Sequence, residues 1–247
     1  TDLDKAITQS CDVYFYSLAY SLGIDRMSEF MKQFGFGSRT GIDSTGEKPG
    51  LMPSREWKRR ARGMPWFPGE TLITGIGQGA LLVTPLQLAS GTGALALKGT
   101  RFKPHLVKKI SYPGNRESLN IKPEVSGVYS VKKELNWQHV VNGMKNVVHG
   151  IRGTAHRLAK GLSYTIAGKT GTAQVFGIAQ DEEYEEDKVT KKLRDHALFM
   201  AFAPVEKPQI AVAVIVENGG HGSSVAAPIA RKIMDAYLLS DKKLLKK

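Results

Sequence analysis

Two short strings near opposite ends of this 247-residue chain carry residue types that could do chemistry together: Ser10-Cys11-Asp12 and Lys169-Thr170-Gly171-Thr172. Other readings fail on spacing. Gly168-Lys169-Thr170 ends like a phosphate-binding loop, but that motif requires a further glycine where Ser163 stands. Gly75-Ile76-Gly77-Gln78-Gly79 lacks the glycine spacing of a dinucleotide fingerprint. The six histidines have no two-histidine metal spacing, and no serine sits in a G-x-S-x-G elbow. Each surviving string also has a bland reading, a helix N-cap for Ser10 or Asp12 and an ordinary strand position for Lys169. Order and placement favour chemistry. Ser10 immediately precedes a helical pattern, and Lys169 lies in a strand pattern beside Ala167, Gly168 and Gly171, small enough for a ligand backbone to approach the sheet edge.

The pair is similar in form to motifs of serine β-lactamases and penicillin-binding proteins. The physical logic of such a site is acyl transfer by a serine, activated by a lysine whose pKa is lowered by desolvation or a nearby positive charge. In that logic Lys169 supplies positive field, the Ser10 hydroxyl relays a proton between two lysines and the leaving amine, and Asp12 holds a substrate amide. The hydroxyls of Thr170 and Thr172, flanking Gly171, bind a terminal carboxylate. The Thr172 N–H supplies half of an oxyanion hole, an arrangement worth roughly 3–4 kcal/mol per donor.

The elements that must position these residues follow from patterning. A helix over Val13–Leu22 ends at Gly23, and a second, capped by Asp25, carries Met27, Phe30, Met31 and Phe34 on one face until Gly35. Residues 37–70 are rich in Gly, Pro and Arg and read as surface loop. Thr84-Pro85-Leu86-Gln87 predicts a helix start with a capping box, running to about Lys98, with Gly91 and Gly93 as sites of close packing. After turns near Pro113-Gly114-Asn115, a helix near Glu134–Val148 places Trp137, Val141, Met144 and Val148 on one stripe. Strand patterns follow at Tyr164–Phe176, Ala197–Ala203 and Ile210–Glu217, the last two forming a hairpin. A final helix over Pro228–Leu239 is expected to bury Ile229, Ile233 and Tyr237, and the acidic run Asp181–Asp187 reads as a solvated loop. Helices followed by an antiparallel meander and a closing helix define an α+β class.

Composition narrows the partners. No apolar run approaches the roughly 18 residues of a membrane helix. The net charge of +12 comes partly from Lys58–Arg62, Lys191–Arg194 and Lys242–Lys247, clusters that read as solvated or as meeting an anionic surface. No aromatic residues interleave with them in a nucleic-acid module, so no nucleic-acid partner is expected. The single Cys11 excludes an internal disulfide.

Several further strings make the resemblance specific. They are Ser10-Cys11-Asp12-Val13-Tyr14-Phe15-Tyr16, Gly75–Gly79 followed by Thr84-Pro85-Leu86-Gln87, Gly153-Thr154-Ala155-His156, Ala167–Gln174, Arg194-Asp195-His196 with Ala201–Pro204, and Glu217-Asn218-Gly219-Gly220. In this order, over almost the whole chain, they resemble the transpeptidase domain of the class B penicillin-binding proteins, within it the penicillin-binding protein 2 subgroup of the Gram-negative elongation machinery. The resemblance implies a penicillin-recognising, β-lactamase-like fold with an antiparallel sheet flanked by helices. Residues 1–240 would be the C-terminal portion of that domain, its N-terminal part missing, and 241–247 a basic tail. It implies a peptidoglycan D,D-transpeptidase that cross-links stem peptides at D-Ala-D-Ala through a serine acyl-enzyme, is acylated by β-lactams and needs no catalytic cofactor. It also implies a periplasmic domain on an inner-membrane anchor outside this chain, working with an elongation glycosyltransferase and scaffold proteins.

The family's nucleophile lies in an S-x-x-K helix ahead of the Ser10 string, and the nine residues before Ser10 hold none. The match at Ser130-Val131-Lys132-Lys133 lies between the other motifs and reads as coincidence. The expectation is that this sequence alone is inactive. Asp12 stands where Asn is commoner, keeping an acceptor and losing a donor. Cys11 reads as a small buried residue; by resemblance to the subgroup it would ligate a structural zinc with partners upstream of Thr1. A serine β-lactamase, with Glu70 as the only candidate for positioning water, and a β-lactam-sensing or scaffold domain are the alternatives.

Overall fold

The computed structural model describes residues 1–113, 118–175 and 190–244. The first stretch holds helices α1 (Leu3–Gln9), α2 (Asp12–Leu22), α3 (Ile24–Gln33), α4 (Arg55–Arg62), α5 (Pro68–Gly75) and α6 (Pro85–Ala96). Short strands β1 (Thr100–Phe102), β2 (Lys109–Ile110), β3 (Leu119–Asn120) and β4 (Val125–Val128) follow, then α7 (Glu134–His149). Strands β5 (Ala167–Ala173), β6 (His196–Ala203) and β7 (Ile210–Val216) and helix α8 (Ala226–Leu244) complete the order.

The last three strands form one antiparallel sheet in the order β5-β6-β7. Its register runs from Ala167 opposite Phe202 to Ala173 opposite His196, and from Ala197 opposite Val216 to Ala203 opposite Ile210. β1 pairs with β4 and β2 with β3 in separate ribbons. The expected hairpin forms, its turn containing a cis Ala203–Pro204 bond. α7 lies against β5 and α1, while α8 lies against β6 and β7. Between them sits the main core of Val147, Val148, Ile166, Phe199, Phe202 and Met234, all at most 1% exposed. A smaller cluster of Phe34, Phe36, Met52, Ala94 and Trp137 holds the other lobe. α7 serves both, because its stripe carries Trp137 at one end and Met144 and Val148 at the other. The α+β architecture, an antiparallel sheet flanked by helices, is as the sequence implied.

The capping box at α6 is present, with Gln87 N–H donating to Thr84 Oγ1 and Thr84 N–H to Gln87 Oε1. Gly91 does serve close packing: a Cβ there would stand 3.1 Å from Phe36 Cζ, whereas at Gly93 it would make only ordinary contact.

Four local expectations need correction. Residues 37–70 are not all loop, since α4 starts at the Ser54 cap, whose side chain accepts the Trp57 N–H, and α5 starts at Pro68. Strong capping and Pro at the first helical turn outweigh a Gly/Pro/Arg-rich composition. The cap of α3 is Gly23, and the Asp25 carboxylate instead accepts the Arg55 N–H at 3.1 Å. α8 buries Ala226, Ala227, Ala230 and Met234, leaving Ile229, Ile233 and Tyr237 at 40–59% exposure. Small residues let the helix approach the sheet closely, so the large apolar side chains take another face. β5 is also shorter than its pattern, from Ala167 to Ala173. Phe176, the acidic run Asp181–Asp187, Gly114-Asn115 and Leu245–Lys247 lie outside the described residues.

Candidate active site

Ser10 is the C-cap of α1, not an N-cap: its backbone is left-handed (φ 54, ψ 56), and Cys11 is the residue that precedes α2. That single left-handed residue turns the chain between two helices and leaves the Ser10 hydroxyl half-buried at the corner. α1 is placed by α7. Gly143 lets it come close, since a Cβ there would be 2.9 Å from Ile7 Cβ, and the Thr8 hydroxyl donates to the Gly143 carbonyl at 3.4 Å.

Across from it, β5 is one of the two edge strands of its sheet, with Ala167 fully buried. The small residues around Lys169 also serve the fold. A Cβ at Gly168 would lie 2.6 Å from Phe199 Cζ, and Gly171 is overlaid by Gly222, whose Cβ would lie 2.5 Å from the Gly171 carbonyl oxygen.

Lys169 Nζ donates to Ser10 Oγ at 2.7 Å and to the Thr170 carbonyl at 2.9 Å. The two strings, 159 residues apart in sequence, therefore meet through one hydrogen bond. Burial pushes the Lys169 ammonium down to about 8, against the upward pull of the Asp12 carboxylate. Asp12, the first residue of α2, is exposed and acts on Lys169 through its charge. A lysine poised near neutrality and bonded to a hydroxyl can hold or pass a proton at that oxygen.

Thr170 is not free to serve a ligand alone, because its hydroxyl pairs with Thr154 Oγ1 at 2.9 Å. Thr154 is itself fixed by its N–H to the Thr8 carbonyl. Thr172 is exposed. Its carbonyl accepts from Gln78 Nε2 at 3.3 Å, and Gln78 Oε1 accepts the Gln174 N–H at 3.2 Å. Those bonds fix the outward side of β5, and strand alternation puts the Thr172 N–H on the same open side. Thr154 and Gln78 stand within the longer strings of the resemblance, where the sequence assigns them no role. Their signal lay in folded proximity, which spacing along the chain does not carry.

The remaining candidates fall elsewhere. Ser130 stands exposed outside any helix and Lys133 caps α7, so the S-x-x-K match does not put its serine and lysine on one helical face. Glu70 is occupied: its carboxylate accepts from Lys58 Nζ at 2.5 Å and from the Phe67 N–H at 2.8 Å. Partial burial pushes Glu70 up, but these bonds outweigh it and hold the carboxyl below its ordinary value. Lys58 is only 2% exposed and lies 4.3 Å from the Phe67 ring centroid, so one member of the basic cluster is a core residue. Cys11 is a free, half-buried thiol, and no group of three or more His, Cys, Asp or Glu among the described residues could hold a metal.

An edge strand bearing Lys-Thr-Gly, with its lysine bonded to a serine hydroxyl from a helix corner, is the arrangement expected of a penicillin-recognising fold. Comparison shows the family: residues 1–235 match the penicillin binding protein transpeptidase domain, and the chain belongs to that family. It is 45% identical over 240 residues to the peptidoglycan D,D-transpeptidase MrdA of Haemophilus influenzae, covering 96% of this chain and 36% of that protein. To MrdA of Escherichia coli K12 it is 40% identical, covering 97% and 37%. Pseudomonas aeruginosa PBP2, solved in complex with WCK 5153, superposes with a TM-score of 0.82 at 49% identity, over 97% of this chain and 49% of that one. The PBP2–MreC complex of Helicobacter pylori gives 0.80 at 33% identity, over 97% and 40%. The chain thus spans little more than a third of the length of the curated relatives it matches.

Proposed function

We propose that the protein carrying this chain is a peptidoglycan D,D-transpeptidase. A serine oxygen attacks the carbonyl of the D-Ala-D-Ala bond, the C–N bond breaks and D-Ala leaves; an acceptor amine then attacks the ester, forming the cross-link and releasing the serine. The observation that carries the reading is the 2.7 Å Lys169–Ser10 bond on an open strand edge. In this scheme the Ser10 hydroxyl, held by Lys169, hands a proton to the leaving amine. Thr172 N–H stabilises the oxyanion, Thr172 and the Thr154-supported Thr170 hydroxyl meet the terminal carboxylate beside Gly171, and Asp12 meets an amide. The attacking serine belongs to an S-x-x-K segment that this sequence does not contain ahead of Ser10.

The partners implied are stem peptides, β-lactams, a polymerising partner and scaffold proteins. Two relatives support the last two: the H. pylori PBP2 solved with MreC, and a 33%-identical chain from a peptidoglycan synthase complex. A periplasmic, membrane-anchored setting accompanies that reading; among the described residues no helix is long and apolar enough to cross a membrane. A structural zinc at Cys11 would need ligands from outside the described residues, and no catalytic step involves it.

The test is labelling of the full-length protein by a fluorescent penicillin. Lys169→Ala should slow acylation about 10²–10⁴-fold. The wild-type rate should fall as pH rises through about 8, where the Lys169 ammonium is lost. Equal labelling of both proteins would overturn the reading. Rapid hydrolysis of nitrocefin would favour a β-lactamase, which the engagement of Glu70 by Lys58 argues against.

A further inference from the structure

The open edge of β5 is already occupied at two places, and the two occupants differ in kind. Lys169 Nζ covers the Thr170 carbonyl and belongs to the chemistry described above. Gln78 covers the next outward pair, donating to the Thr172 carbonyl and accepting from the Gln174 N–H. One carboxamide presents a donor and an acceptor side by side, as the backbone of a paired strand residue does. Gln78 thus makes, with a side chain, the two bonds that an extended peptide would make on joining this edge.

We propose that Gln78 is a specificity-determining residue: its carboxamide is a placeholder on β5 that an amide-bearing ligand must displace. The ligand class rests on the transpeptidase reading. A donor peptide or penicillin whose amide N–H seeks the Thr172 carbonyl competes directly with Gln78 Nε2. A ligand without that amide does not.

The backbone under Gln78 is built to stay while its side chain moves. Gly77 (φ 83) and Gly79 (φ 73) flank it in left-handed conformations that other residues rarely adopt. The Gln78 N–H donates to the Ile73 carbonyl and the Gly77 N–H to Thr74. The loop hangs from α5, which is seated on α2 so closely that a Cβ at Gly75 would stand 2.4 Å from Ala19 Cβ. The latch bonds, by contrast, are long at 3.2–3.3 Å and solvent-exposed. They suit a contact that is made in the free protein and given up on binding.

The test compares two acylating probes on the full-length protein, benzylpenicillin, which carries an acylamino group, and a carbapenem, which carries a hydroxyethyl group in its place. Because each exposed hydrogen bond contributes only modestly, Gln78→Ala should raise the ratio of the penicillin to the carbapenem acylation rate about fivefold. An unchanged or lowered ratio overturns the proposal, since a merely structural tie would slow both probes together. Amide hydrogen exchange without any ligand supplies an independent reading. The Gln174 N–H should exchange several-fold faster in Gln78→Ala than in wild type, and equal exchange also overturns the placeholder. If neither probe labels the wild type, the transpeptidase reading fails, while exchange at Gln174 still decides whether the latch exists.

Discussion

The two lobes, one around the sheet and one around Phe34 and Trp137, are held together by different forces. The β5 side rests on an apolar core in which Ile166, Ala167, Phe199 and Phe202 are essentially sealed from water, and close contacts at Gly143 and Gly168 set backbone positions. The other lobe has a smaller apolar cluster, with Phe34, Phe36, Met52, Ala94 and Trp137 buried among the described residues, and relies on polar clamps. Gln87, 2% exposed, donates to the carbonyls of Ser38 and Pro49 at 2.7 Å each, and Lys58 is buried against Glu70. Apolar packing is short-ranged and steep, so it fixes the strand backbone that carries Lys169. Polar clamps hold irregular chain, such as residues 35–53, that no continuous core could cover.

If that contrast is right, each lobe should fail in its own way. The largest effect on stability is expected at the clamp: Lys58→Met leaves Glu70 half-buried without its cation and should cost about 3 kcal/mol in chemical denaturation. The Lys169 titration near 8, followed by NMR of isotope-labelled lysine, should survive it. Loss of that titration would break the contrast. Gly168→Ala should cost less, about 1–3 kcal/mol, because Phe199 must give way. Yet it should shift β5 and slow penicillin acylation, where Lys58→Met would not. The smallest effect concerns His149, whose Nε2 accepts the Ile166 N–H at 3.0 Å under α7. Burial and Lys145 hold its pKa below the ordinary value, against the pull of Glu206. As pH falls through about 6.5 the unfolded chain takes up its proton first, so stability should decline from there until the folded value is passed. His149→Phe should flatten that slope, a change of about 1 kcal/mol or less measured by urea titration across pH.

Legibility in the sequence followed the same division. Helix α6 and the β6–β7 hairpin are readable because a capping box, and two apolar runs joined by the short Pro204–Pro208 connection, are local instructions. α7 is readable because its apolar residues fall on one stripe, which runs along both cores. α4 and α5 are hidden by a composition suited to loops, their signals being the Ser54 cap and Pro68 at the first helical position. The buried face of α8 is not legible from side-chain size, because close approach to the sheet selects alanine. Within the site, Ser10, Asp12 and Lys169 could be singled out by type and order. Thr154 and Gln78 could not be assigned roles, since each acts on β5 from a distant stretch of chain.

Ser10 joins two demands in one position: its backbone makes the left-handed corner between α1 and α2, and its hydroxyl receives the lysine. An evolving or resistant lineage therefore has few neighbouring sequences to explore there. Glycine keeps the corner and discards the hydroxyl, whereas threonine keeps the hydroxyl and resists the corner through its β-branch. Change in this wall is channelled instead to residues such as Gln78, where a side chain can vary without bending the backbone beneath it.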